Sequence, residues 1–109
     1  MTLSKEAQES IQRLQMMEQN MQALNVQKQQ LQAQLFEIEG ALKEITGSPS
    51  VYKIVGGIMI GTEKDALQKE LQGKKELLEL RVQTLEKQEK QLKEKAKKLQ
   101  EEILSSVKE

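Results

Sequence analysis

Histidine and cysteine are both absent from this 109-residue chain. Without cysteine there is no disulfide and no thiolate metal site. Without histidine the commonest general base and the commonest metal ligand are missing as well. There is no Trp, and one Phe and one Tyr are the only aromatics, so the large side chains that fill globular cores are scarce. Charge of one sign is lacking too: 17 basic residues balance 17 acidic ones, leaving no net field to draw in nucleic acid or an anionic membrane. No apolar run approaches the about 18 residues that span a bilayer, and the N-terminus does not read as a signal peptide. Neither a P-loop nor a Gly-x-Ser-x-Gly elbow is present, and the many Glu residues lie on helix faces with no pocket to shift their pKa. An enzyme is not expected, nor a metal, nor any cofactor. A soluble intracellular protein is the simplest reading.

What the chain does have is period. It is 37% apolar and 31% charged, a balance suited to long helices with a narrow apolar seam. From Leu14 to Ile45, apolar residues recur at alternating spacings of three and four. Leu14, Met21, Lys28, Leu35 and Leu42 take heptad position a; Met17, Leu24, Leu31, Ile38 and Ile45 take d. In the second half Leu71, Leu78, Leu85, Leu92 and Leu99 recur every seven residues at d, with Lys75, Val82, Glu89, Ala96 and Ile103 at a. The expected organisation is a single domain, 1–109: a helix over 4–45, a loop over 46–50, a β-hairpin over 51–61 and a second helix over 63–107. At a rise of ~1.5 Å per residue, about 40 helical residues span roughly 60 Å, too long to be buried in a globule of this size.

Breakers divide these parts. Gly47 is a candidate C′ residue, and Pro49 cannot continue a helix. Thr62 can cap the second helix, with Asp65 in place of the usual Glu or Gln of a capping box. Two long helices joined by so short a connection fold back as an antiparallel pair. If Gly56-Gly57 is the symmetry centre, core positions whose numbers sum to 113 face each other: Leu42 with Leu71, Leu35 with Leu78, Lys28 with Leu85, Leu24 with Glu89. Each such pair joins an a to a d position, as antiparallel coiled coils require.

Lys28 and Glu89 then fall in adjacent layers. They either snorkel to solvent or pair across the seam and disfavour slipped alternatives. Gly40 and Gly73 also sum to 113 and face outward at f; they mark either a close approach by a neighbour or tolerated weak points. The first helix carries ten Gln before residue 35, which reads as a neutral helical surface. Lysines between 87 and 98 are interleaved with Glu and Gln, the pattern of a solvated face.

The stretch Val51-Tyr-Lys-Ile-Val-Gly-Gly-Ile-Met-Ile-Gly61 reads as two strands about a Gly56-Gly57 turn. Val55 then pairs with Ile58, Ile54 with Met59, Lys53 with Ile60 and Tyr52 with Gly61. One face carries Tyr52, Ile54 and Met59. The other carries Val51, Val55, Ile58 and Ile60, interrupted by Lys53. Both faces are apolar, whereas a hairpin with one wet face alternates apolar with polar. A lone hairpin is also marginal in water, and its edges are unpaired. Other chains are therefore expected to supply the missing cover, which makes Val51, Tyr52, Ile54, Val55, Ile58, Met59 and Ile60 oligomerisation residues. The alternative is a hydrophobic loop tucked against its own helix ends.

The element order and the stretch VYKIVGGIMI resemble the hairpin signature of prefoldin β-type subunits, archaeal-like in their simplicity, with KKELLELRVQTLEKQEKQLKEK (74–95) similar to that family's second helix. The resemblance implies a mainly α fold in which one hairpin per β-type subunit joins a multi-subunit β-barrel platform. It implies a hexamer of two α-type and four β-type subunits, with α-type partners carrying two hairpins. It further implies a cytoplasmic, ATP-independent chaperone (a holdase) that captures unfolded polypeptide clients at coiled-coil tips and delivers them to a group II chaperonin. In the antiparallel register both termini lie at the end away from the hairpin, where Leu3, Ala7, Ile11, Met16, Ile103, Leu104 and Val107 gather, several of them off the seam. Exposed apolar groups, Met above all, adapt to many shapes, so these are the candidate client-binding residues. Val26, Phe36, Leu77 and Leu80 also lie off the seam; Phe36 and Leu77 are candidates to pack against other subunits or line a cavity. The competing reading of the whole chain is a passive coiled-coil scaffold or tether, which accounts for the heptads but less well for the two-faced hairpin.

Overall fold

The structure is a computed structural model that describes residues 4–108. Its elements follow in the order α1 (Lys5–Gly47), β1 (Val51–Val55), β2 (Ile58–Thr62) and α2 (Lys64–Lys108). Each boundary has a local cause. At the start of α1 the Ala7 amide donates to Ser4 Oγ at 3.1 Å, a side-chain cap for an otherwise orphaned donor. At its end Thr46 Oγ1 donates to the Lys43 carbonyl and Ser48 Oγ to that of Glu44, and Pro49 follows. The second helix opens with the Leu67 amide donating to the Glu63 carbonyl at 3.0 Å. Thr62, expected to cap this helix, instead ends β2 opposite Val51; the ladder runs one pair further than the sequence suggests, and Glu63 becomes the residue before the first helical turn.

The chain divides into two compact units. One combines the described parts of Met1–Gln29 and Gln83–Glu109. In it Leu14, Met17, Met21, Leu24 and Lys28 of α1 are half-buried, as are Leu85, Glu89, Leu92 and Ile103 of α2, with Ala7, Ala96 and Leu99 buried. The other unit is Gln30–Val82. Leu31, Leu35, Ile38 and Leu42 are half-buried there, together with Leu71 and Lys75, while Ile45, Leu78 and Val82 are buried. In both units, therefore, the a and d positions are the covered ones, and the stripe follows the three-four spacing of a coiled-coil seam. Small residues account for the best-buried positions of the first unit, Ala7 at 4% and Ala96 at 6% exposed.

The second unit also holds the hairpin, a two-stranded antiparallel sheet. Its register is the one the Gly-Gly turn dictates, with Val55 opposite Ile58, Ile54 opposite Met59, Lys53 opposite Ile60 and Tyr52 opposite Gly61. Gly56 and Gly57 have φ of 56° and 81°. A two-residue turn matched to the strand twist needs both central residues at positive φ, which is inexpensive only for glycine.

Candidate interaction surfaces

The hairpin leaves most of its apolar side chains exposed. Ile54 is 71% exposed, and Tyr52, Val55, Ile58, Met59 and Ile60 are all exposed too. The side chains that gain cover are those nearest the helices: Val51, Lys53 and Thr62 are half-buried, all on one face. On the opposite face the Tyr52 ring lies over its cross-strand partner, close enough that a Cβ at Gly61 would sit 3.9 Å from Tyr52 Cδ1 and Cε1. An aromatic covering a strand glycine steadies a pair that otherwise lacks side-chain contact. Among the described residues each strand pairs only with the other, leaving the outer donors and acceptors of both edges free to extend the sheet. A groove of about 470 Å³ opens between hairpin and helices, lined by Val51, Tyr52 and Ile54 on one side and Ile45, Leu67 and Leu71 on the other.

Lys53 turns the interrupted face to use. Its Nζ donates to Glu70 Oε1 at 2.8 Å and to Oε2 at 3.0 Å, and Lys74 Nζ stands 3.9 Å from the same carboxylate. The Lys53 hydrogen bonds hold the Glu70 carboxyl below the ordinary glutamate value, against partial desolvation and with help from the Lys53 and Lys74 charges. Sequence reasoning missed this pair. The available signal was a single charge on an otherwise apolar strand face, with an acidic residue two turns into the following helix.

In the first unit, Lys28 Nζ lies 2.8 Å from Glu89 Oε1, so these two side chains meet across the seam rather than diverge. The contact with Glu89 raises the Lys28 pKa, outweighing desolvation, and the charges of Glu89 and Glu86 add to it. Glu89 Oε1 is buried without a well-aligned hydrogen-bond donor; what compensates its burial is the lysine charge.

The candidate client residues divide by position. Ala7 is only 4% exposed, because residue 7 continues the a series one heptad before Leu14 and packs into the seam. Ile103, also at a, and Ile11 are half-buried. Met16 and Leu104, off the seam, are 63% and 61% exposed. Leu3 and the side chain of Val107 lie outside the described residues. Among the described candidates, Met16 and Leu104 are therefore the exposed ones. Val26 is exposed in the same unit; Phe36, at 78%, Leu77 and Leu80 are exposed in the other. A Cβ built on Gly40 or Gly73 meets nothing within 4 Å, so neither glycine serves a close approach within this chain. No helix among the described residues is long and apolar enough to cross a membrane, and no group of His, Cys, Asp and Glu among them could hold a metal ion.

Comparison with known proteins gives a consistent result. Residues 8–109 match the family model described as prefoldin subunit. The prefoldin subunit beta of Thermococcus gammatolerans is 42% identical over 106 residues, covering 94% of this chain and 91% of the relative. That of Sulfurisphaera tokodaii is 36% identical over 101 residues, covering 90% and 81%. Among solved structures, the crystal structure of the prefoldin beta subunit from Thermococcus strain KS-1 is similar with a TM-score of 0.93 and 38% identity, over 99% of this chain and 97% of that one.

Proposed function

The chain belongs to the prefoldin subunit family, whose members are chaperone components, and on that premise we propose that it is the β-type subunit of a cytoplasmic, ATP-independent holdase. In this reading four copies join two α-type subunits, the hairpins closing a shared β-barrel platform. Unfolded polypeptides are captured at the helix ends that carry the chain termini and passed to a group II chaperonin. The observation that carries the proposal is the exposed hairpin: apolar side chains on both faces and two open edges on a charge-balanced chain. Burying Tyr52, Ile54, Val55, Ile58, Met59 and Ile60 against neighbouring subunits removes that exposed surface and completes the backbone pairing in one step.

Client capture rests on the apolar residues near the chain ends. Met16 and Leu104 are the exposed members, with Ile11 and Ile103 half-covered beside them and Leu3 and Val107 adjoining in sequence. Flexible thioether and branched aliphatic side chains grip irregular apolar segments without demanding one shape, which suits a holdase that needs neither nucleotide nor metal.

The test is solution mass measured for the chain alone and with an α-type prefoldin subunit, followed by light scattering of a chemically denatured client diluted into each sample. A hexamer that forms only with the α-type subunit and suppresses client aggregation is the expected result. A passive scaffold would form no such hexamer and would leave aggregation unchanged.

A further inference from the structure

Lys53 is the only charged residue in either strand. It sits where an apolar residue would keep the face continuous, and its amino group turns back to α2, donating to both oxygens of Glu70 at 2.8 and 3.0 Å. A lysine stem covers apolar surface while its charge reaches a polar partner. Beyond Val51, Lys53 and Thr62 the hairpin is exposed, so apolar packing holds only its base. Packing of that kind is also non-directional and would tolerate tilting. A lysine ammonium donating to both oxygens of one carboxylate is a charge-assisted tether that fixes the distance from mid-strand to α2.

Pitch matters because the hairpin is a lever. Five residues at ~3.4 Å each make an arm of about 17 Å from Val51 to the turn, so a tilt of roughly 20° at the base moves the tip by about 6 Å, more than the ~4.8 Å spacing of paired strands. A sheet shared between subunits cannot register with a hairpin free to swing by that much. We propose that Lys53 and Glu70 form an orientation latch, a positioning pair that holds the hairpin at one pitch on the start of α2 so that its edges meet those of neighbouring subunits in register. The latch rests on the assembly reading given above for its consequence, though not for its geometry. Lys74, 3.9 Å from the Glu70 carboxylate, backs the pair by keeping that carboxylate charged. A different role for Lys53 would be simple edge protection, a charge that discourages strand-to-strand aggregation. That role needs a charge at position 53 and nothing at position 70, so the two differ in what Glu70 does.

Because the chain has no cysteine, Met59→Cys and Gln72→Cys, both exposed positions, would carry the only spin labels on the 109-residue chain. Pulsed electron paramagnetic resonance then reads the spread of hairpin-to-α2 distances. The latch predicts a narrow distribution in the parent, at least a doubling of its width in Lys53→Glu and in Glu70→Lys, and return to the parent width in the double swap. In unlabelled protein the same single reversals should raise the concentration needed to associate with an α-type subunit at least tenfold, and the swap should restore it to within threefold. Circular dichroism should show unchanged helix content in all of them. Equal widths in every variant, or a swap as broad as the single reversals, would overturn the latch. A Glu70→Lys variant that associates like the parent would point to edge protection instead and equally overturn it. Failure of the parent itself to associate would count against the assembly reading, while the distance distributions would still decide for or against the latch.

Discussion

Within one compact unit, the same residue types end in opposite states. Ile45 is 5% and Leu78 7% exposed, whereas Ile54 is 71% and Ile58 65% exposed. The seam residues recur at the helical three-four spacing, and the chain carries a second helix with a matching stripe to cover them. The hairpin residues form a near-continuous apolar run that fills both faces of a two-stranded sheet, and among the described residues there is no second sheet to cover them. Apolar composition therefore does not distinguish core from interface here. What distinguishes them is whether the molecule contains a complementary element of the same period.

The sharpest way to break this contrast is to disrupt each region separately. Ile54→Asp combined with Ile58→Asp should abolish association with α-type subunits while leaving the helical melting transition of the isolated chain essentially unchanged. Leu78→Ala should do the reverse, lowering the stability of the helical pair by about 2–4 kcal/mol in thermal unfolding followed by circular dichroism. If the hairpin double variant also melted early, the hairpin would be part of this chain's own core and the contrast would fail.

A second, smaller effect concerns the helix ends near the chain termini. Met16→Ser with Leu104→Ser should weaken suppression of client aggregation severalfold at unchanged oligomeric mass, measured by light scattering and sedimentation. Ala7→Ser, at a buried seam position, is expected to act through stability instead. Undiminished suppression by the Met16/Leu104 variant would remove these residues from client capture.

Acidification probes the hairpin base. The Glu70 carboxyl titrates below its ordinary value of 4.5 because Lys53 donates to its charged form. A depressed folded-state pKa contributes stability above the unfolded value, and that contribution is lost as pH falls through the folded one. Hairpin amide exchange should thus be insensitive to pH, beyond its intrinsic dependence, down to about the ordinary glutamate range, and loosen only below it. Glu70→Gln should remove that acid step.

The smallest expected effect lies at Gly40 and Gly73. Neither meets anything within 4 Å, so Ala at either should raise helix stability by up to about 1 kcal/mol. A loss of assembly instead would reveal that a neighbouring subunit approaches one of these glycines, which would extend the interface beyond the hairpin.

Much of this arrangement could be read from the sequence, and the exceptions share a cause. The seam was legible because heptad spacing is a local signal repeated many times. The ladder from Val55/Ile58 to Tyr52/Gly61 was legible because Gly56-Gly57 fixes both turn type and register. Lys28 and Glu89 could be placed in neighbouring layers because one symmetry centre orders both helices. Thr62 escaped because cap and strand signals coincide on a single residue, and long-range pairing with Val51 prevailed. The Lys53–Glu70 contact escaped because it depends on how the hairpin tilts over α2, which no periodicity encodes. Ala7 escaped because a single small residue one heptad before Leu14 is a weak seam signal, although its a position buries it.

The central claim is that the exposed hairpin is the surface other subunits cover. Amide hydrogen exchange across Val51–Thr62, measured for the full chain alone and after mixing with an α-type prefoldin subunit, tests it most directly. Strong new protection on both strands, including the edge amides that are unpaired in the single chain, is the predicted result. A complex that forms while hairpin exchange stays as fast as in the isolated chain would contradict it.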